Sequence, residues 1–171
     1  MPITRLNHAV LYVRDVEASG AFYRDVLGFR PVMQLPGAIF LQAGGSTNDH
    51  DLGLFEIGAA ATASSAGRTT VGLYHLAWEV DTLDELERVS QQLTAAGALV
   101  GASDHDTTKA LYAKDPDGIE FEVSWLVPAD LITADVLEAR SRIDRLDLAH
   151  AKERYGATTP GGVGISVPAS H

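Results

Sequence analysis

The sequence predicts an α+β fold built from two tandem βαβββ modules followed by a C-terminal helix. Two observations carry that reading. The stretch Leu6-Asn7-His8-Ala9-Val10-Leu11-Tyr12-Val13 returns as Leu73-Tyr74-His75-Leu76-Ala77-Trp78-Glu79-Val80, with Leu, His and Val in register sixty-seven residues apart. Each copy is followed by an acidic residue, a helical pattern, and then three short apolar runs. Repetition of one supersecondary unit constrains a fold more tightly than any single segment does.

The elements follow in order from local chemistry. The first repeat copy reads as a strand, and Asp15 after it can cap a helix that buries Phe22, Tyr23, Val26 and Leu27 and stops at Gly28. Strands over about Phe29–Leu35, Ala38–Ala43 and Asp51–Ile57 come next, broken by Pro36-Gly37 and by Gly44-Gly45-Ser46. Gly58–Gly72, rich in Ala, Ser, Thr and Gly, reads as a linker. The second copy is again a strand. A helix then starts near Thr82, carries Leu83, Leu86, Val89 and Leu93 at helical spacing, and stops at Gly97. Strands over about Ala98–Ala102, Lys109–Lys114 and Ile119–Leu126 complete the second half, the last two joined by the turn sequence Asp115-Pro116-Asp117-Gly118. Beyond Pro128, Thr133 can cap a helix running to about Tyr155, with Val136, Leu137, Ile143 and Leu146 as its buried face. From Gly156 onward the composition predicts a mobile tail. The expected organisation is therefore residues 1–57 and 73–127 as the two modules, 58–72 between them, and 128–171 as helix and tail.

Composition narrows the chemistry. With 171 residues, 46% of them hydrophobic and 21% charged, the chain can bury a core without staples. It has no cysteine, so disulfides, thiolate metal sites and a cysteine nucleophile are excluded. Thirteen basic against twenty-three acidic residues give a formal charge of −10. Such a surface repels nucleic acid and anionic membranes, whose binding rests on Lys and Arg neutralising phosphates. Ala9–Val13 is too short an apolar run for a signal core or a membrane span, so a soluble cytoplasmic protein is expected.

Strand alternation places His8 on one face with Leu6, Val10 and Tyr12, and His75 with Leu73, Ala77 and Glu79. The repeat sets the two histidines at equivalent points of two equivalent strands. Glu122 lies on the last strand, on the face of Glu120 and Ser124. Two imidazoles and one carboxylate, with other positions open, are the donor set of a non-haem iron(II) or similar divalent site.

With those residues in hand, the sequence from about Ile3 to Trp125 resembles the vicinal oxygen chelate superfamily of glyoxalases, antibiotic-resistance proteins and extradiol dioxygenases. The resemblance implies an open, barrel-like sheet around a metal held at the junction of the modules. The run from Asp104 to Glu122 is similar to the signature of type I extradiol (catechol-2,3-dioxygenase-like) enzymes, in which a Tyr precedes a metal-binding Glu by ten residues across a turn; Tyr112 and Glu122 have that spacing. The resemblance implies His8, His75 and Glu122 as metal ligands and Tyr112 as the hydroxyl that steadies the substrate oxygen. It implies His50, in Asn48-Asp49-His50-Asp51, as the acid/base beside dioxygen, and His105 as a third active-site histidine. Glu56 departs from the extradiol pattern, because glyoxalase-like members take a fourth ligand from that strand.

The expected activity is ring cleavage of a catechol-type aromatic with O2 by a non-haem Fe(II) oxidoreductase; Mn, Ni or Zn also suit the donor set. The alternatives are a metal-dependent lyase or isomerase with Glu56 as fourth ligand, and a metal-free protein that sequesters an aromatic or antibiotic. The expected partners are a small aromatic substrate and O2, with a second copy of the chain as a homodimer.

Overall fold

The computed structural model of the chain describes residues 2, 3, 5–67 and 69–162. They divide into two compact units. One runs up to Ser65 and takes in Asp115–Ile119; the other runs from Ala66 to Lys114 and from Glu120 onward. Among the described residues, no helix is long and apolar enough to cross a membrane.

The first unit holds β1 (Ala9–Val13), α1 (Val16–Asp25), β2 (Arg30–Leu35), β3 (Ala38–Gln42) and β4 (Leu52–Glu56). Its sheet has the order β1-β4-β3-β2, with β1 parallel to β4 and the other pairs antiparallel. Leu11, Val13, Ile39, Leu41, Leu52 and Leu54 are buried, whereas Val10, Tyr12, Leu35 and Phe55 are exposed. Asp15 caps α1 by accepting from the Ala18 amide at 2.9 Å. Of the expected set Tyr23 is buried, while Phe22, Val26 and Leu27 are half-buried and Val16, Ser19 and Gly20 take the other buried positions of α1. The reason is close approach: a Cβ on Gly20 would stand 2.9 Å from the Ile39 Cδ1, and the Ser19 hydroxyl donates to Asp117 at 3.3 Å. Small residues let the helix settle on the sheet, and apolar periodicity does not count them.

The second unit repeats the plan with β5 (Leu76–Glu79), α2 (Leu83–Ala95), β6 (Leu99–Asp104), β7 (Thr108–Lys114) and β8 (Glu120–Leu126). The strand order is β5-β8-β7-β6, with β5 parallel to β8, and β9 (Asp144–Arg145) is added beside β6. Thr82 caps α2 through the Glu85 amide at 3.2 Å, and Leu83, Leu86, Val89 and Leu93 are all buried as their spacing predicts. The single C-terminal helix expected from Thr133 to Tyr155 is instead two. α3 (Ala134–Ala139) ends at Arg140, the chain then pairs with the edge of β6, and α4 (Leu148–Tyr155) starts afresh from the Asp147 cap. Satisfying a free sheet edge outweighs continuing a helix with little to bury: Val136 is buried, but Leu137 and Ile143 are exposed. The tail is also better fixed than its composition predicts, as far as it is described. Gly161 donates to the Asp81 carbonyl at 2.6 Å and Gly162 to that of Leu126 at 3.2 Å. The remainder of the expected mobile tail, residues 163–171, lies outside the described residues.

The turn after β7 is built as its sequence predicts. Gly118 sits at φ +83°, a region that L side chains rarely adopt. Asp115 Oδ1 accepts from the Asp117 and Ile119 amides at 2.9 and 2.8 Å, and the Tyr23 hydroxyl donates to Oδ2 at 3.2 Å. Arg14 pairs with Asp117 at 2.8 Å. Burial pushes the Asp115 carboxyl above its ordinary range, against the two amides, which pull it down. A carboxyl raised by folding favours the folded state most below about pH 4, its unfolded range, and that contribution is lost as pH rises through the raised value. In Asp115→Asn the amide oxygen keeps both backbone bonds and the amide nitrogen can donate to Tyr23. The difference in urea midpoint between wild type and this variant should therefore shift in favour of the variant as pH rises from about 4 to 7. Parallel pH profiles for the two proteins would contradict the assignment.

Candidate metal centre

In the first unit, His8 lies one residue before β1 and His50 two residues before β4, and because these strands are parallel neighbours the two histidines come together. Their ring centroids are 4.6 Å apart, and Phe40 packs edge-on to His50 at 5.1 Å. Each ring is held through Nδ1: His8 by Asn7 Oδ1 at 2.7 Å and His50 by Asp49 Oδ2 at 3.0 Å. Fixing an imidazole at Nδ1 leaves Nε2 as the working nitrogen. Val10, Tyr12 and Phe55 continue this face as an exposed apolar surface, with Phe40 and Phe55 in edge contact at 5.7 Å.

Glu56 is engaged elsewhere. It alternates with the buried Leu52 and Leu54, on the helix side of the sheet, and its Oε2 accepts from the Val16 amide at 3.1 Å. A carboxylate at a helix N-terminus satisfies a free amide and complements the helix dipole.

In the second unit, His75 immediately precedes β5, and its Nε2 stands 3.3 Å from Glu122 Oε2 on the neighbouring β8. Both side chains are largely shielded, at 24% and 14% exposure. In the antiparallel register of β7 and β8, Tyr112 lies directly opposite Glu122. Their ten-residue spacing is thus the signature of a turn centred on Asp117. The Tyr112 ring centroid is 6.0 Å from that of His75. His105, in the β6–β7 connection, places Nε2 at 3.3 Å from the Tyr112 hydroxyl. Ser103, which the sequence reading missed, completes the group: its Oγ is 3.0 Å from His105 Nε2 and 3.3 Å from the Tyr112 oxygen. No periodicity in the sequence points to it, because its place depends on the register of β6 against β7, which shifts between Leu99 and Gly101. Farther along the same face, burial pushes the Glu79 carboxyl upward.

The His75–Glu122 pair fits two adjacent ligands of a divalent metal. Two ligand atoms each about 2.1 Å from one ion lie about 3.0–3.4 Å apart when adjacent in its coordination sphere. His75 Nε2 and Glu122 Oε2 have that spacing. Among the described residues, His75 Nδ1 is buried without a hydrogen-bond partner, and the polar neighbour of the ring is the Glu122 carboxylate at Nε2. Among the described residues, no three His, Asp or Glu side chains gather closely enough to hold an ion.

The family model described as Glyoxalase/Bleomycin resistance protein/Dioxygenase superfamily matches residues 5–123. A catechol-2,3-dioxygenase of Bacillus subtilis (strain 168) is 32% identical over 120 residues, which is 70% of this chain and 41% of that protein. A manganese-dependent 2,3-dihydroxybiphenyl 1,2-dioxygenase of Geobacillus genomosp. 3 is 28% identical over 127 residues, 72% of this chain and 37% of that protein. The chain thus spans about two fifths of the length of these curated relatives. Among solved structures, a glyoxylase/bleomycin resistance protein/dioxygenase domain from Frankia sp. EAN1pec superposes with a TM-score of 0.60 at 21% identity, over 72% of this chain and 92% of that one.

Proposed function

We propose that this chain, which belongs to the Glyoxalase/Bleomycin resistance protein/Dioxygenase superfamily, is a metal-dependent extradiol dioxygenase that opens a catechol-type ring with O2. The observation that carries the reading is the Tyr112–His105–Ser103 hydrogen-bonded group directly beside the His75–Glu122 pair. A lyase or isomerase with four protein ligands has less support, because Glu56 caps α1. A metal-free sequestering protein has no use for the His75–Glu122 spacing.

We assign His8, His75 and Glu122 as the ligands of one divalent ion, with Fe(II) as the metal and Mn(II) as its nearest rival. When bound, the metal supplies Lewis acidity toward the two substrate oxygens and a route for electrons between substrate and dioxygen. The protein side chains do the rest. Tyr112 donates its hydroxyl proton in a hydrogen bond to the oxygen of the bound catechol where negative charge builds. His105 and Ser103 fix the direction in which that hydroxyl points. His50, braced by Asp49, moves protons through Nε2. The half-buried Phe40 and the exposed Phe55, Tyr12 and Val10 beside His50 suit a flat aromatic ring, which they would shield from water. We further read the working enzyme as a cytoplasmic homodimer.

The test is oxygen uptake. Protein loaded anaerobically with Fe(II), Mn(II), Ni(II) or Zn(II) is mixed with a panel of catechols on an oxygen electrode, while ring-opened product is followed by its visible absorbance. Stoichiometric O2 consumption with Fe(II) or Mn(II), and none with Zn(II), is the expected result. Metal-loaded protein that consumes no oxygen with any catechol defeats the proposal.

A further inference from the structure

The C-terminal segment beyond β8 lies outside the matched family region, and it covers a side chain that sequence rules put on the surface. Lys109 on β7 is only 2% exposed. It lies on the helix side of the sheet with Leu111 and Ala113, opposite Trp125 across the ladder. A buried ammonium is costly unless each of its three donors meets a partner. Here one donor meets Asp104 Oδ1 at 2.5 Å and another the Asp106 carbonyl at 3.0 Å. On its remaining side lies the ring face of Tyr155, 5.3 Å to the centroid.

Those two oxygens belong to the residues on either side of His105. Asp104 Oδ1 also accepts from the Asp106 amide at 2.7 Å. Asp106 sits at φ +58°, a left-handed conformation uncommon outside glycine and more open to Asp than to most residues. His105 N donates to the Thr108 carbonyl at 2.9 Å, and Thr107 N to that of His105 at 2.6 Å. His105 is therefore flanked on both sides by residues that Lys109 grips, while its imidazole meets Tyr112 and Ser103 on the opposite face of the sheet.

Tyr155 reaches Lys109 because α4 is anchored. Lys152 bridges Asp84 and Glu87 of α2 at 2.8 and 2.7 Å. Asp84 N donates to the Ala157 carbonyl at 3.0 Å, and the Trp125 indole to that of Thr159 at 3.3 Å. Tyr155 itself is 8% exposed, packs on Trp125 at 5.6 Å between centroids, and carries a buried hydroxyl that has no hydrogen-bond partner among the described residues. That hydroxyl makes no contact the arrangement needs; the ring does.

We propose that Lys109, kept dry by Tyr155 of the C-terminal helix, is a positioning residue that holds His105 in register with the Tyr112 hydroxyl. The role in turnover rests on the dioxygenase reading above; the positioning does not. The test uses the full chain with Zn(II) present, because zinc is diamagnetic. The His105 imidazole signals in NMR spectra are identified by their loss in His105→Asn. In Lys109→Met they should move to the positions of a solvent-averaged imidazole, while circular dichroism stays that of the wild type. Tyr155→Ala should move them in the same direction, and Tyr155→Phe should leave them in place. In the Fe(II) protein, Lys109→Met should lower kcat by on the order of a hundredfold, the usual cost of a misplaced catalytic group, and leave KM nearly unchanged. Unmoved His105 signals in a folded Lys109→Met protein overturn the proposal, whatever happens to activity. If that variant does not fold, the wild type decides. Asp106 and Thr107 amides that exchange as slowly as those of β7 support the grip, and exchange at the rate of an open loop overturns it. Moved His105 signals in a protein that cleaves no catechol uphold the positioning and dismiss the dioxygenase reading alone.

Discussion

Glu122→Ala should release the metal and bring ring cleavage down to background, the largest effect expected of any single substitution in this chain. Even outer partners of a metal ligand cost about ten- to a hundredfold in affinity when removed, and a ligand costs more. Glu122 supplies the one carboxylate of the assigned set, and without it His75 Nε2 loses its 3.3 Å neighbour. The loss has a thermodynamic readout that does not depend on substrate. A metal that binds only the folded state stabilises it by about 2.7 kcal/mol at a hundred times its dissociation constant. Thermal unfolding of the wild type should therefore rise with added Fe(II) or Mn(II), and that of Glu122→Ala should not. His75→Ala should behave in the same way. Glu56→Gln should keep its metal response, because the amide oxygen can still accept from Val16 N at the head of α1. A variant at Glu122 that still shows the full metal-dependent rise would remove this residue from the coordination sphere.

How much of this was legible beforehand differs by element, for physical reasons. The α2 face was readable because Leu83, Leu86, Val89 and Leu93 are large and apolar at helical spacing, and burying them is what holds the helix down. The α1 face was not, because Ser19 and Gly20 are there for their small size and for the Asp117 bond. The Tyr112–Glu122 relation was readable because a tight turn fixes antiparallel register, and register fixes which residues stand opposite. Ser103 and Lys109 were invisible to the same logic. A serine on a strand carries no pattern of its own, and a lysine is assigned to solvent unless three-dimensional neighbours supply its partners. The break in the C-terminal helix has a similar cause, since it depends on an edge of β6 that exists only after the sheet has formed.

Tyr112→Phe and His50→Ala should separate chemistry from binding. The Tyr112 hydroxyl lies 3.3 Å from both His105 Nε2 and Ser103 Oγ, so both neighbours help to fix where it points. Removing the oxygen and keeping the ring leaves the contact with His75 intact, at 6.0 Å between centroids. Metal content should stay at the wild-type level, while kcat falls on the order of a hundredfold, the usual loss for one donor to a developing oxyanion. His50→Ala should also spare metal binding, because Asp49 and Phe40 are what hold the ring in place. Its loss should fall on proton-coupled steps, by roughly a hundredfold or more, and small imidazole added to the assay should restore part of the rate. The two variants should differ in solvent isotope effect: large in His50→Ala, where an unassisted proton transfer becomes limiting, and unchanged in Tyr112→Phe. Depleted metal in either protein would mean that a ligand had been taken for a catalytic group. If both variants turn over at the wild-type rate, the chain shares the fold with its relatives, and its chemistry lies with other residues.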